Sequence, residues 1–61
     1  MNGKQAIKAL EEHGFWIIRI NGSHHMLTDG MHRVTVPVHG AQDLKPGTLK
    51  SIEKQAGVTL K

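Results

Sequence analysis

Two dipeptides, Asn21-Gly22 and Asp29-Gly30, restrict what this chain can fold into more than any other feature. A two-residue type I′ hairpin turn needs positive φ at both central positions, and Asn, Asp and Gly tolerate it best. The segments around them read as strands. Phe15–Ile20 is β-branched and aromatic, with a single charge at Arg19. Ser23–Thr28 follows the first turn. Met31–Val38 follows the second and alternates Val34, Val36 and Val38. The expected product is a three-stranded antiparallel meander. Pro37 cannot donate to a ladder, which marks the third strand as an edge.

The flanks carry helical signals instead. Asn2 with Gln5 makes a capping-box pattern, Ala6, Ile7 and Leu10 recur at helical spacing, and Gly14 stops the helix after His13. The first helix is therefore expected over 3–13. His39–Lys45 reads as a polar loop. Pro46 suits the first turn of a second helix whose buried stripe is Leu49, Ile52 and Ala56, with Gly57 as its stop and Val58 packing behind it. The order is α-β-β-β-α, an α+β fold in one domain over 1–61. Neither helix has a second apolar surface, so both must cover the same face of the sheet. With 61 residues and 38% apolar content, the chain can bury only one thin layer.

If each turn dipeptide is a two-residue loop, the faces follow. Arg19 pairs with His24, Ile18 with His25 and Trp16 with Leu27; His24 pairs with Thr35, His25 with Val34 and Met26 with Arg33. Directly opposed residues share a face. One face then collects Trp16, Ile18, Ile20, His25, Leu27, Val34 and Val36 as a core. The other collects Arg19, His24, Met26, Arg33 and Thr35, with Phe15 and Ile17 at one end. On this register His24 lies between Arg19 and Thr35 on an open, cationic surface, with Cβ atoms ~4.5–5.5 Å apart.

That grouping suits a phosphodiester. A guanidinium grips phosphate oxygens through its planar fork, and an imidazole moves a proton near neutral pH. The charge balance points the same way: eight Lys and Arg against five acids, a net +3 and a pI near 9.7 favour polyanions. Of the other histidines, His25 turns toward the core, where its ring should find a hydrogen-bond partner. His32 is read as structural and His13 as a surface residue at a helix end. His39 follows the third strand and is a candidate second proton donor beside Lys45. Lys50 and Lys54, on the second helix, are candidates for gripping a polyanion backbone. Ser23 faces away from the open surface and has no relay to activate it.

No metal or other cofactor is expected. Adjacent strand positions His24 and His25 point to opposite faces, and no carboxylate cluster joins them. The chain has no cysteine, and no apolar run approaches the ~20 residues of a membrane span. A cytoplasmic protein is expected.

The combination Gly22-Ser23-His24-His25, Val34-Thr35-Val36-Pro37, His39 and Leu44-Lys45-Pro46-Gly47-Thr48-Leu49…Gln55-Ala56-Gly57 resembles the HicA (YcfA-like) toxins over nearly the whole chain. The resemblance implies a double-stranded-RNA-binding-domain-like fold. It also implies an mRNA endoribonuclease of a type II toxin–antitoxin pair, whose partner is a HicB-like antitoxin covering the active face. The catalytic histidine of the family follows Gly-Ser, which here makes it His24. Relatives often carry an aromatic where this chain has Leu27, a loss of ring area that bears on stability more than on activity. Arg19, Arg33, Thr35, His39, Lys45 and Lys50 are the expected RNA-binding or supporting residues, and the free chain is expected to be a monomer. The rival expectation is a non-catalytic RNA-binding or regulatory module in which His24 is only a contact.

Overall fold

The computed structural model describes residues 1–60. Helix α1 spans Gly3–Glu12, strands β1, β2 and β3 span Trp16–Asn21, His24–Thr28 and Arg33–Pro37, and helix α2 spans Pro46–Ala56. The α-β-β-β-α order is the expected one, and the strands form one antiparallel sheet in the order β1-β2-β3. Pro37 does lie on an edge strand.

Local chemistry explains where the helices start and stop. The Asn2 side chain accepts the Gln5 N–H at 2.9 Å, and the Gln5 side chain accepts the Asn2 N–H at 2.9 Å, a complete capping box. Gly57 ends α2 at φ 72°, a left-handed conformation that costs glycine nothing. Gly3 is buried at a close crossing. A Cβ there would lie 2.5 Å from the Pro37 carbonyl oxygen, so α1 meets the end of β3 at a distance only glycine allows.

The core is one cluster. Ala6, Ile7 and Leu10 come from α1, Leu27, Val34 and Val36 from the sheet, and Ile52 and Ala56 from α2, with Phe15 and Leu60 closing the ends. Both helices pack on the same sheet face, chiefly against β3. The opposite face is left open, and β1 is exposed along its whole length.

The register differs from the expected one. Asn21 pairs with His24, so the first loop is Gly22-Ser23, not Asn21-Gly22. Its φ is positive only at Gly22, at 60°, the pattern of a type II′ turn with glycine at the first central position. Asn21 stays extended inside β1. The second loop has four residues, Asp29–His32, because Thr28 pairs with Arg33. Arg19 therefore pairs with Met26 and not with His24, and Thr35 also pairs with Met26. Arg33 sits opposite Thr28, His25 pairs with Val36, and Leu27 pairs with Val34.

These slips move every pair by an even step, so they preserve faces: His24 is still open and His25, Leu27, Val34 and Val36 still face the helices. A bulge breaks that rule. The pairing shifts between Ile17 and Arg19, which leaves Ile18 as the extra residue. Everything before it changes sides. Phe15, expected on the open face, is buried at 4% exposure, while Trp16, expected in the core, is 51% exposed. Ile18 and Ile20 are likewise exposed and not core.

Candidate RNA-processing site

The open face is a grid of three cross-sheet rows. Asn21, His24 and Pro37 form one row, Arg19, Met26 and Thr35 the next, and Trp16, Thr28 and Arg33 the last. His24 is at the end of β2, immediately after the Gly22-Ser23 turn, and its side chain is exposed. Arg19 and Thr35 are its diagonal neighbours, about 7–8 Å away in such a ladder. Arg19, Asn21, His24, Met26 and Thr35 together line one concavity of about 300 Å³. Three of the expected site residues therefore converge: His24, Arg19 and Thr35.

Arg33 does not join them. It lies opposite Thr28, four residues along β2 from His24, which is about 13 Å at strand rise. Lys50 is on α2, away from the open face. His39 and Lys45 belong to a second concavity, of about 370 Å³, with Pro37, Gln42, Asp43, Leu44 and Thr48. Pro37 is the cross-strand partner of His24, so this concavity begins where the His24 row ends. Its wall is held by the start of the chain. The Leu44 N–H donates to the Met1 carbonyl at 2.8 Å, Asn2 bridges Asp43, and the Met1 ammonium lies 3.6 Å from the Asp43 carboxylate.

Asn21, which the expected Asn21-Gly22 turn would place outside the strand, also lines the His24 concavity. The signal was present: Gly22-Ser23 is itself a two-residue hairpin pair, and choosing it returns Asn21 to the strand.

The remaining histidines have other surroundings. His25 is half-buried and faces the helices, but its Nδ1 is buried with no hydrogen-bond partner among the described residues, contrary to the expected pairing. His32 lies in the second loop directly before β3, where its carbonyl accepts the Asp29 N–H at 3.4 Å. Its ring lies 6.5 Å from that of Phe15, and its Nε2 would be 3.2 Å from a Cβ on Gly57. Asp29 organises that loop. Its Oδ1 accepts the N–H groups of Met31 at 2.9 Å and His32 at 2.6 Å, and its Oδ2 is 3.0 Å from His32 Nδ1. The His32 backbone N–H, then its ring, then the Met31 N–H hold the Asp29 carboxyl down to about 2.

Among the described residues, no three His, Cys, Asp or Glu side chains converge as a metal-binding group. No described helix is long and apolar enough to cross a membrane. The profile of the HicA toxins of bacterial toxin–antitoxin pairs matches residues 3–58. The chain belongs to the HicA toxin family. It is thus the toxin half of such a pair, with a cognate antitoxin as partner, and the resemblance drawn from its motifs holds over both helices and all three strands. No curated protein matches the chain.

Proposed function

We propose that this HicA-family toxin is an endoribonuclease that cuts mRNA without a metal, with His24 as the proton-transfer group. The observation that carries the reading is the concavity in which His24 meets Arg19, Asn21 and Thr35 on the open face. It offers one imidazole able to accept a proton, one fixed cation, and two neutral hydrogen-bonding side chains. Among the described residues, no carboxylate lines it.

Those groups suit transesterification. The His24 imidazole accepts the proton of a ribose 2′-OH, whose oxygen attacks the adjacent phosphorus in line. The bond to the 5′-oxygen breaks, leaving a 2′,3′-cyclic phosphate and a 5′-hydroxyl once that oxygen is protonated. Arg19 neutralises charge gathering on the non-bridging oxygens, and Thr35 and Asn21 orient the sugar–phosphate. The proton for the leaving oxygen comes from His39 or Lys45, beyond Pro37. Lys50 and Arg33, outside both concavities, contribute to holding more distant parts of the strand. A HicB-like antitoxin lying over the open face would block this site, and an mRNA target places the activity in the cytoplasm.

The test is cleavage of a single-stranded RNA in excess chelator. The wild-type chain should cut and leave cyclic-phosphate ends. His24→Ala should lose at least about 10²-fold in rate, the usual range for a proton-transfer group, with an unchanged unfolding midpoint. Equal cutting by the variant removes His24 from the mechanism. Loss of wild-type cutting in chelator removes the metal-free route. RNA binding without any cutting leaves a binding module.

A further inference from the structure

The two edges of the sheet are not alike. On β3 the outward backbone positions are Arg33, Thr35 and Pro37. The Thr35 N–H donates to the Gln55 side chain at 3.3 Å, and Pro37 has no N–H. Helix α2 packs alongside the strand. That edge is closed at two of its three donor positions, in the manner of sheets that avoid edge pairing.

Nothing comparable protects β1. Among the described residues, its backbone makes no hydrogen bond beyond its ladder with β2. All six of its residues are exposed. Among the described residues, it carries four of the five exposed large apolar side chains: Trp16, Ile17, Ile18 and Ile20, of which Ile20 is 58% exposed. The helices lie over β3 and leave both sides of β1 uncovered. An open backbone edge with apolar side chains on both sides is a template for strand addition.

Charge and size decide what fits it. The chain carries +3, and the only charge on β1 is Arg19. A second copy would bring like charge to like charge. It would also place the two open faces side by side and cover neither, so a six-residue strand pair would have to supply the roughly 1,200 Å² of a specific interface alone. An acidic partner that pairs with β1 and continues over the adjoining open face meets both requirements.

We propose that β1 takes an extended segment of the cognate antitoxin as a fourth strand, one with apolar side chains toward both faces and an acidic residue beside Arg19. The inference rests on membership of a toxin–antitoxin family, not on the cleavage chemistry. The binding strand extends the sheet next to the His24 concavity, and its acidic residue meets Arg19 at the rim of that concavity.

The experiment mixes the purified chain with its cognate antitoxin and follows backbone amide exchange. The β1 amides that point away from β2 should gain protection in the complex. An Ile17→Lys/Ile20→Lys double variant, both on the face opposite His24, should raise the Kd by on the order of 100-fold, since buried apolar anchors dominate such interfaces, with RNA cleavage unchanged. Protection confined to other surfaces, an unaltered Kd in the double variant, or no complex at all overturns the proposal. So does a sedimentation experiment in which the wild-type chain alone is a dimer that Ile20→Lys dissociates, because the edge then belongs to a second copy. Loss of RNA affinity in place of antitoxin affinity assigns the edge to RNA. Amide exchange on the wild-type pair decides the matter even where the double variant fails to fold. A chain that shows β1 protection but cuts no RNA sinks the proposed activity and leaves this inference standing.

Discussion

The two hairpins of this sheet use histidine in opposite ways. The first turn, Gly22-Ser23, is as short as a hairpin allows, and no side chain bonds to it among the described residues. It ends on His24, which points at solvent with Arg19 and Asn21 nearby. The second turn, Asp29–His32, is longer and tied at every step. The Thr28 hydroxyl donates to the His32 carbonyl at 2.6 Å and accepts the Gly30 N–H at 3.0 Å, while Asp29 holds Met31 and His32. Its histidine is held on one side by a carboxylate and on the other by Phe15 and Gly57. A histidine whose polar atoms are already engaged serves structure. One left free on an open face beside a cation is available for chemistry.

The largest effect should come from lengthening the first turn. Leu27 is fully buried between β3 and the helices, so β2 cannot rotate. One glycine inserted after Gly22 therefore leaves His24 and His25 on their present faces and flips β1 instead, carrying Arg19 and Asn21 away from His24. RNA cleavage should fall on the order of 10²-fold, the usual loss when one stabiliser of transition-state charge is removed. The unfolding midpoint should fall as well, because the flip carries Phe15, buried just before β1, out of the core. Full cleavage by the insertion variant would show that Arg19 is dispensable, and wholesale unfolding would show that β1 holds more of the core than its exposure indicates.

How far the sequence could be read follows from the same contrast. Element order, both helix caps and the face of His24 were legible, because capping residues, alternation and turn dipeptides act locally. Moving a two-residue turn by one position changes which residues pair but not which face they take, so the error at Asn21-Gly22 was harmless to His24. The bulge at Ile18 was not legible. Phe15, Trp16, Ile17 and Ile18 are all apolar, so periodicity carries no record of where an extra residue sits. What selects the bulge is tertiary: it turns Phe15 into the gap beside His32 and Leu10. The place of Lys45 was equally hidden, since it depends on the Met1–Leu44 backbone contact across the fold.

A smaller effect is expected at the second turn. His32→Ala removes the ring contact with Asp29 Oδ2 and the packing on Phe15 and Gly57, but leaves the backbone bonds of the loop. The loss should be about 1 kcal/mol, or roughly 4–8 °C in midpoint for a domain of this size. Cleavage measured well below that midpoint should match the wild type. A His32→Ala chain that is as stable as wild type but inactive would reverse the roles assigned to the two hairpins.

The smallest effect separates the turns by pH. The Asp29 carboxyl titrates at about 2 in the folded chain against 3.8 ordinarily, because the loop donates to its charged form. A carboxyl lowered by folding adds stability that is fully present above its unfolded value and is lost as pH falls through the folded one. Stability should therefore decline between about pH 4 and pH 2 from this source. The site is open to solvent, so the slope should be shallow and sensitive to salt. Asp29→Asn keeps the shape of the loop and its Oδ1 acceptor but cannot titrate. Its chemical-denaturation midpoint should lie below that of the wild type at pH 6, and the gap should close as the pH falls through about 2. Parallel curves over that interval would mean that the second turn is held by its backbone bonds alone, and the contrast with the first turn would then lie in loop length and not in the charge on Asp29.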